Sequence, residues 1–233
     1  MQETVIMGFL WYFVFVFSAT AHEASHALVA YILGDRTAYQ GGQVTLNPVP
    51  HIQREPFGMV VFPIITYAMG GWMMGWASCP YNPWWAHQYP RRAAMMAVAG
   101  PTANLLLAVL AGVLIRGGLA MGYFAAPNAI NFTHVTDPLA DGMVKGLAAF
   151  ISIAFSLNLL LFVFNLIPLP PMDGSGVLEL ALKGRALELY KSFRSHPYAA
   201  LIGLFVAWNV FSPLYRPIHL MAINLLYPGV HYG

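Results

Sequence analysis

The chain has very little charge and almost no cysteine. Of its 233 residues only 9% are Asp, Glu, Lys or Arg, and the net charge is +2. The basic residues are spread out, which argues against nucleic-acid binding. The single cysteine, Cys79, excludes an internal disulfide framework and a cysteine-rich zinc site. Any metal must therefore be held by histidines and carboxylates. The opening residues Met1-Gln2-Glu3-Thr4 contain no basic side chain. Ala19-Thr20-Ala21 has the form of a leader-peptide cleavage site, but the apolar run continues well past it, so that reading is set aside. No repeat, no low-complexity tract and no polar stretch long enough for a separate soluble domain is visible.

What the chain does have is apolar sequence. It is 58% hydrophobic, with a mean hydropathy of +0.61. That composition is expected of an all-α polytopic membrane protein. A span needs about 20 apolar residues, so there is room for about four to six membrane segments in a single domain over 1–233.

Three ionisable side chains interrupt the first apolar run, in Ala21-His22-Glu23-Ala24-Ser25-His26-Ala27. Ionisable groups at that depth are costly and point to function. His22 and His26 are four residues apart, so on a helix they share one face. Two neutral imidazoles at that spacing can take two positions of a tetrahedral zinc. Glu23 projects beside the metal, where a general base for an activated water belongs.

The chain predicts a first helix from about 4 to 33, then a strand or hairpin near the membrane surface over 37–50, where β-branched and polar residues alternate. The apolar segment 57–78 is broken by Pro63 and Gly70-Gly71 and reads as either a span or a re-entrant hairpin. Further spans are expected at about 93–115, 146–166 and from 198, the last bent or broken by Pro213 and Pro217. The stretch 182–194 reads as a basic amphipathic segment on the membrane surface. Arg36, Arg54, Arg91, Arg92 and the four basic residues between 183 and 194 place their loops on the cytoplasmic side, with 116–145 outside. This topology requires 57–78 to enter and leave on one side, and so favours the hairpin. It also brings the end of the first helix, the turn Gly100-Pro101-Thr102-Ala103-Asn104, and Asp173 to one face of the membrane.

Asn165 to Gly174 reads Asn-Leu-Ile-Pro-Leu-Pro-Pro-Met-Asp-Gly, with prolines that forbid helix interior and require extended backbone. Asp173 is either the N-cap of a following helix or the third protein ligand of a catalytic zinc. Asn104 is expected to hold helices together by a hydrogen bond.

These motifs occur together in one family. The chain resembles the site-2 protease family of intramembrane zinc metalloproteases, in a compact prokaryotic form without PDZ or cystathionine-synthase-like domain. The resemblance rests on His22-Glu23-Ala24-Ser25-His26, Gly100 to Asn104, and Asn165 to Gly174, and covers roughly residues 5–180, with an amphipathic stretch and last segment over 181–233. Ser175 stands where the family commonly has a second glycine. The resemblance implies one Zn²⁺ per chain held by His22, His26 and Asp173, with Glu23 as the base. It implies Asn165 as a residue that positions substrate or stabilises the oxyanion. Asn104, Gly100 and Pro101 take substrate-positioning or structural roles. The expected substrates are transmembrane segments of other proteins, cleaved in a prokaryotic cytoplasmic membrane from a site toward the cytoplasm, as in regulated intramembrane proteolysis. The alternatives are a metal-binding or metal-transport protein using the same cluster, a protease with Glu179 as third ligand, and an inactive relative. His51, His87, His134, His196, His219 and His231 are expected to be interfacial or loop residues.

Overall fold

The computed structural model describes residues 2–233. Four of its helices are long and apolar enough to cross a membrane: α1 (Gln2–Ile32), α6 (Pro90–Ala120), α7 (Met143–Asn165) and α10 (Ala199–Leu226). Shorter helices join them: α2 (Thr37–Gln40), α3 (Val49–Arg54), α4 (Phe62–Gly70), α5 (Pro83–Gln88), α8 (Gly174–Ala181) and α9 (Gly184–Arg194). The chain is thus an all-α polytopic membrane protein.

Helices α1, α6 and α7 form the centre, with α6 packed against both partners. Their shared faces carry small residues that let the backbones approach; on α6 these include Ala94, Gly100, Ala108, Ala111 and Gly112. Lipid-facing positions of the same helices keep large apolar side chains exposed, such as Phe9, Phe13, Leu106 and Val113. At one end, Arg116 donates to the Leu226 carbonyl (2.9 Å), tying the ends of α6 and α10 together. Lys145 reaches Glu3 at the same end of the bundle.

The strand expected over 37–50 is absent. Asp35 accepts hydrogen bonds from both the amide and the hydroxyl of Thr37, which starts α2 instead, and the Pro48–Pro50 sequence opens α3. The strand pair among the described residues, β1 (Phe124–Ala125) with β2 (Asp137–Pro138), lies in the opposite loop. It is held to α7 by Ser152, whose hydroxyl accepts from the Val135 amide (3.0 Å).

Segment 57–78 doubles back. A π-helical turn (Phe57–Val61) runs into α4, and this helical stretch of 14 residues is about 21 Å long at 1.5 Å per residue, short of a bilayer core of about 30 Å. Gly71 adopts φ 73° and reverses the chain. The return is extended and closes on its own start: the Trp76 amide donates to the Gly58 carbonyl (3.2 Å).

Two expectations near the C-terminus change. The stretch 166–173 is a succession of turns, with Leu169 bonded to Ile167 and Met172 to Leu169, so it offers no extended edge. The Pro170 carbonyl is also covered, because it lies where a side chain at Gly203 of α10 would sit. Helix α10 itself runs unbroken through Pro213 and Pro217. Expected helical structure after Asp173 is present, divided into α8 and α9 by the extended residues Leu182 and Lys183.

Candidate active site

The site lies where α1, α6 and the turn into α8 meet. Helix α1 presents His22, Glu23 and His26, all buried, with ligand atoms within 4.8 Å of one another. The two Nε2 atoms face each other at 3.0 Å. Asp173, at the N-cap of α8, adds its carboxylate: Oδ2 is 3.1 Å from His22 Nε2 and Oδ1 is 3.4 Å from His26 Nε2. A residue 147 positions further along the chain than His26 has reached the helix-spaced pair.

The donor set fits a metal rather than a hydrogen-bond network. His26 Nδ1 lies 2.7 Å from the Met96 carbonyl. A carbonyl only accepts, so Nδ1 carries the proton and Nε2 presents a lone pair. His22 Nδ1 faces Asn104 Oδ1 (2.5 Å), which leaves its Nε2 a lone pair as well. Asp173 Oδ2 is buried and receives no hydrogen bond. Three sets of lone pairs therefore converge with no proton between them, which only a cation or added protons can relieve. A tetrahedron with ligands about 2.0–2.1 Å from its centre has edges of about 3.3–3.4 Å. The two Nε2 atoms at 3.0 Å and His22 Nε2 to Asp173 Oδ2 at 3.1 Å are close to two such edges, while His26 is approached by the other carboxylate oxygen at 3.4 Å.

Gly100 leaves the space this needs. A Cβ there would overlap the Nε2 atoms of both histidines. The neighbouring Pro101 is buried inside α6, which tolerates it because a membrane helix packed on neighbours can re-satisfy the freed carbonyl. As a ligand Asp173 must be ionised, and the two imidazoles neutral.

A cavity of about 940 Å³ opens onto the cluster, lined by Glu23, His26 and Asp173 among others. Cys79 lines it too. Burial pushes its thiol up to about 12, so it is protonated at neutral pH and is no nucleophile. Glu179 also lines the cavity but is engaged by Arg194 (2.5 Å). Asn165 is not among the lining residues, and its amide donates to Leu161 of its own helix (3.0 Å). His51, expected in a loop, is buried, with Nε2 facing the Thr45 carbonyl (3.1 Å). His87 lines the cavity mouth, and His134 pairs with Asp137.

Sequence reasoning placed Asn104 between helices but missed Asn158 and Ser18. Asn104 is fully buried, and its Nδ2 donates to Asn158 Oδ1 (2.8 Å). Asn158 Nδ2 in turn donates to Ser18 Oγ (2.9 Å) and to the Ala154 carbonyl (2.8 Å). The available signal was an amide in the middle of an apolar span, which needs a partner.

Two buried histidines with a facing carboxylate and a second carboxylate beside them, set among apolar helices long enough to span a membrane, fit the zinc centre of a multi-pass membrane metalloprotease. Comparison with known proteins agrees. The profile of peptidase family M50 matches residues 10–210, and the chain belongs to this family, that of the site-2 proteases. It is 32% identical over 192 residues to "Putative zinc metalloprotease YwhC" of Bacillus subtilis, covering 82% of this chain and 77% of that protein. It is 28% identical over 190 residues to "Putative zinc metalloprotease Rip2" of Mycobacterium tuberculosis, covering 82% of this chain and 64% of that protein. The match to the Rip2 protein of Mycolicibacterium smegmatis, at 29% identity, covers 70% of this chain and 53% of that protein. The chain thus spans less than two thirds of the length of these Rip2 relatives. No solved structure matches.

Proposed function

We propose that the protein hydrolyses peptide bonds within or beside transmembrane segments of other membrane proteins. The observation that carries this is the depth of the cluster. His22, Glu23 and His26 are buried in a spanning helix, and Glu23 and His26 open onto a cavity large enough for a peptide. His22, His26 and Asp173 would hold one Zn²⁺, which supplies Lewis acidity and lowers the pKa of a water to about 7. Glu23 then acts as the general base. It takes the proton of the attacking water and returns it to the departing amine. Among the described residues no side chain donates a hydrogen bond to its carboxylate, which leaves it free for that exchange.

The substrate enters unwound. A helix has its carbonyls bonded internally, and one must be released before it can be attacked. Asn165 would have to turn away from Leu161 to reach an oxyanion, so its role depends on side-chain rotation. The distribution of Lys and Arg supports a site toward the cytoplasmic side of a prokaryotic membrane. A metal-transport role for the same ligands would not need a base beside them. Reconstituted protein is tested on a membrane-anchored substrate with Glu23→Gln as partner. Cleavage by the wild type, lost in Glu23→Gln while zinc is retained, supports the proposal. Equal cleavage by both, or zinc flux unaffected by Glu23→Gln without any cleavage, sinks it.

A further inference from the structure

The two histidines are oriented differently. His26 is held by a main-chain carbonyl, which cannot change its role. His22 is held by an amide side chain, and an amide can rotate to offer either oxygen or nitrogen. An Asn104 turned the other way would present Nδ2 to His22 Nδ1. The proton would then sit on Nε2, which could no longer ligate.

The structure contains a device against that rotation. Asn158 faces the Ala154 carbonyl at 2.8 Å, and that carbonyl accepts only, so the atom there is Nδ2. The same nitrogen donates its other hydrogen to Ser18. Asn158 Oδ1 is therefore committed toward Asn104, which must answer with Nδ2 at 2.8 Å. Asn104 Oδ1 is left for His22. Turning Asn104 would set two amide oxygens against each other. Asn104 is 0% exposed, Asn158 2% and Ser18 1%, so the clash lies away from bulk solvent.

We infer that Asn158 is a positioning residue for the metal site: through Asn104, it sets the His22 tautomer that presents Nε2 as a ligand. The direction is transmitted from the main chain of α7, across α6, to α1. This rests on the zinc reading above. Residues that orient a ligating histidine typically change metal affinity by about 10–100-fold.

The test is competition for zinc against a chelator, on the full detergent-purified chain. Asn158→Leu is expected to weaken zinc about 10–100-fold, because Asn104 is then free to turn. Adding Asn104→Asp to that variant is expected to restore affinity to within about threefold, since either carboxylate oxygen accepts from His22 Nδ1. A packing role for Asn158 would not be rescued by burying a further carboxylate. Should Asn158→Leu not fold, Asn158→Ser, which keeps a small polar group without a directed donor pair, is read by the same criteria. Zinc affinity equal to wild type in the Asn158 variant overturns the proposal, as does failure of Asn104→Asp to restore it. A wild type that binds no zinc overturns this proposal together with the zinc reading.

Discussion

The side chains buried at the two ends of the helix bundle differ in kind. At the site end, α1 and the first half of α6 bring together His22, His26, Asn104 and Gly100, and their contacts are polar and directional. At the far end, Ala108, Ala111 and Ile115 of α6 pack on Phe155 of α7, Ile223 of α10, and Phe124 and Val135 of the connecting loop. One helix serves both. Directional contacts at the site end fix atoms for chemistry, where a small displacement matters. The apolar end is set by volume, where similar shapes can substitute. Polar contacts between membrane helices contribute only about 0.6–2 kcal/mol each, so the site end is specified more than it is stabilised.

The comparison breaks most sharply at the ligands. Asp173→Ala, or Gly100→Val, should reduce zinc from about one per chain to none, as read by metal analysis of purified protein, with helix content kept. Glu23→Gln should keep the zinc and lower cleavage by about 10²–10⁴-fold, measured on reconstituted protein. The far end should behave in the reverse way. Ile115→Ala removes a fully buried side chain, and should cost about 2–5 kcal/mol in unfolding experiments while zinc stays at about one per chain. Loss of zinc in Ile115→Ala would mean that the two ends are coupled.

A smaller effect separates the cavity from both ends. Cys79 has its thiol pushed up to about 12 by burial. Because the raised pKa keeps the thiolate scarce at neutral pH, its alkylation should be slow there. It should quicken about tenfold per pH unit until pH approaches that value. Fast alkylation at pH 7, read by mass spectrometry, would show a more open cavity than the structure has.

Much of this was legible in advance. The His22–His26 spacing predicted one helix face because a helix repeats every 3.6 residues. The charge bias anticipated that 57–78 folds back. The prolines of 168–171 excluded a helix but not turns, and turns are what formed. The alternation over 37–50 suggested a strand, yet Asp35 and Pro48 start helices there. Alternation only reports a side-chain pattern, and among the described residues no neighbouring strand is present for it to pair with.

By itself, the amino-acid order determined whatever depends on neighbours along the chain: the spanning helices, the imidazoles on one face, and the carboxylate beside them. Only the tertiary structure decided which carboxylate meets those imidazoles and which imidazole nitrogen carries the proton. Asp173 and Met96 are far from His26 along the chain, and Asn104 and Asn158 are far from His22. A lone pair is directed by the atom opposite it, and that atom is supplied by packing.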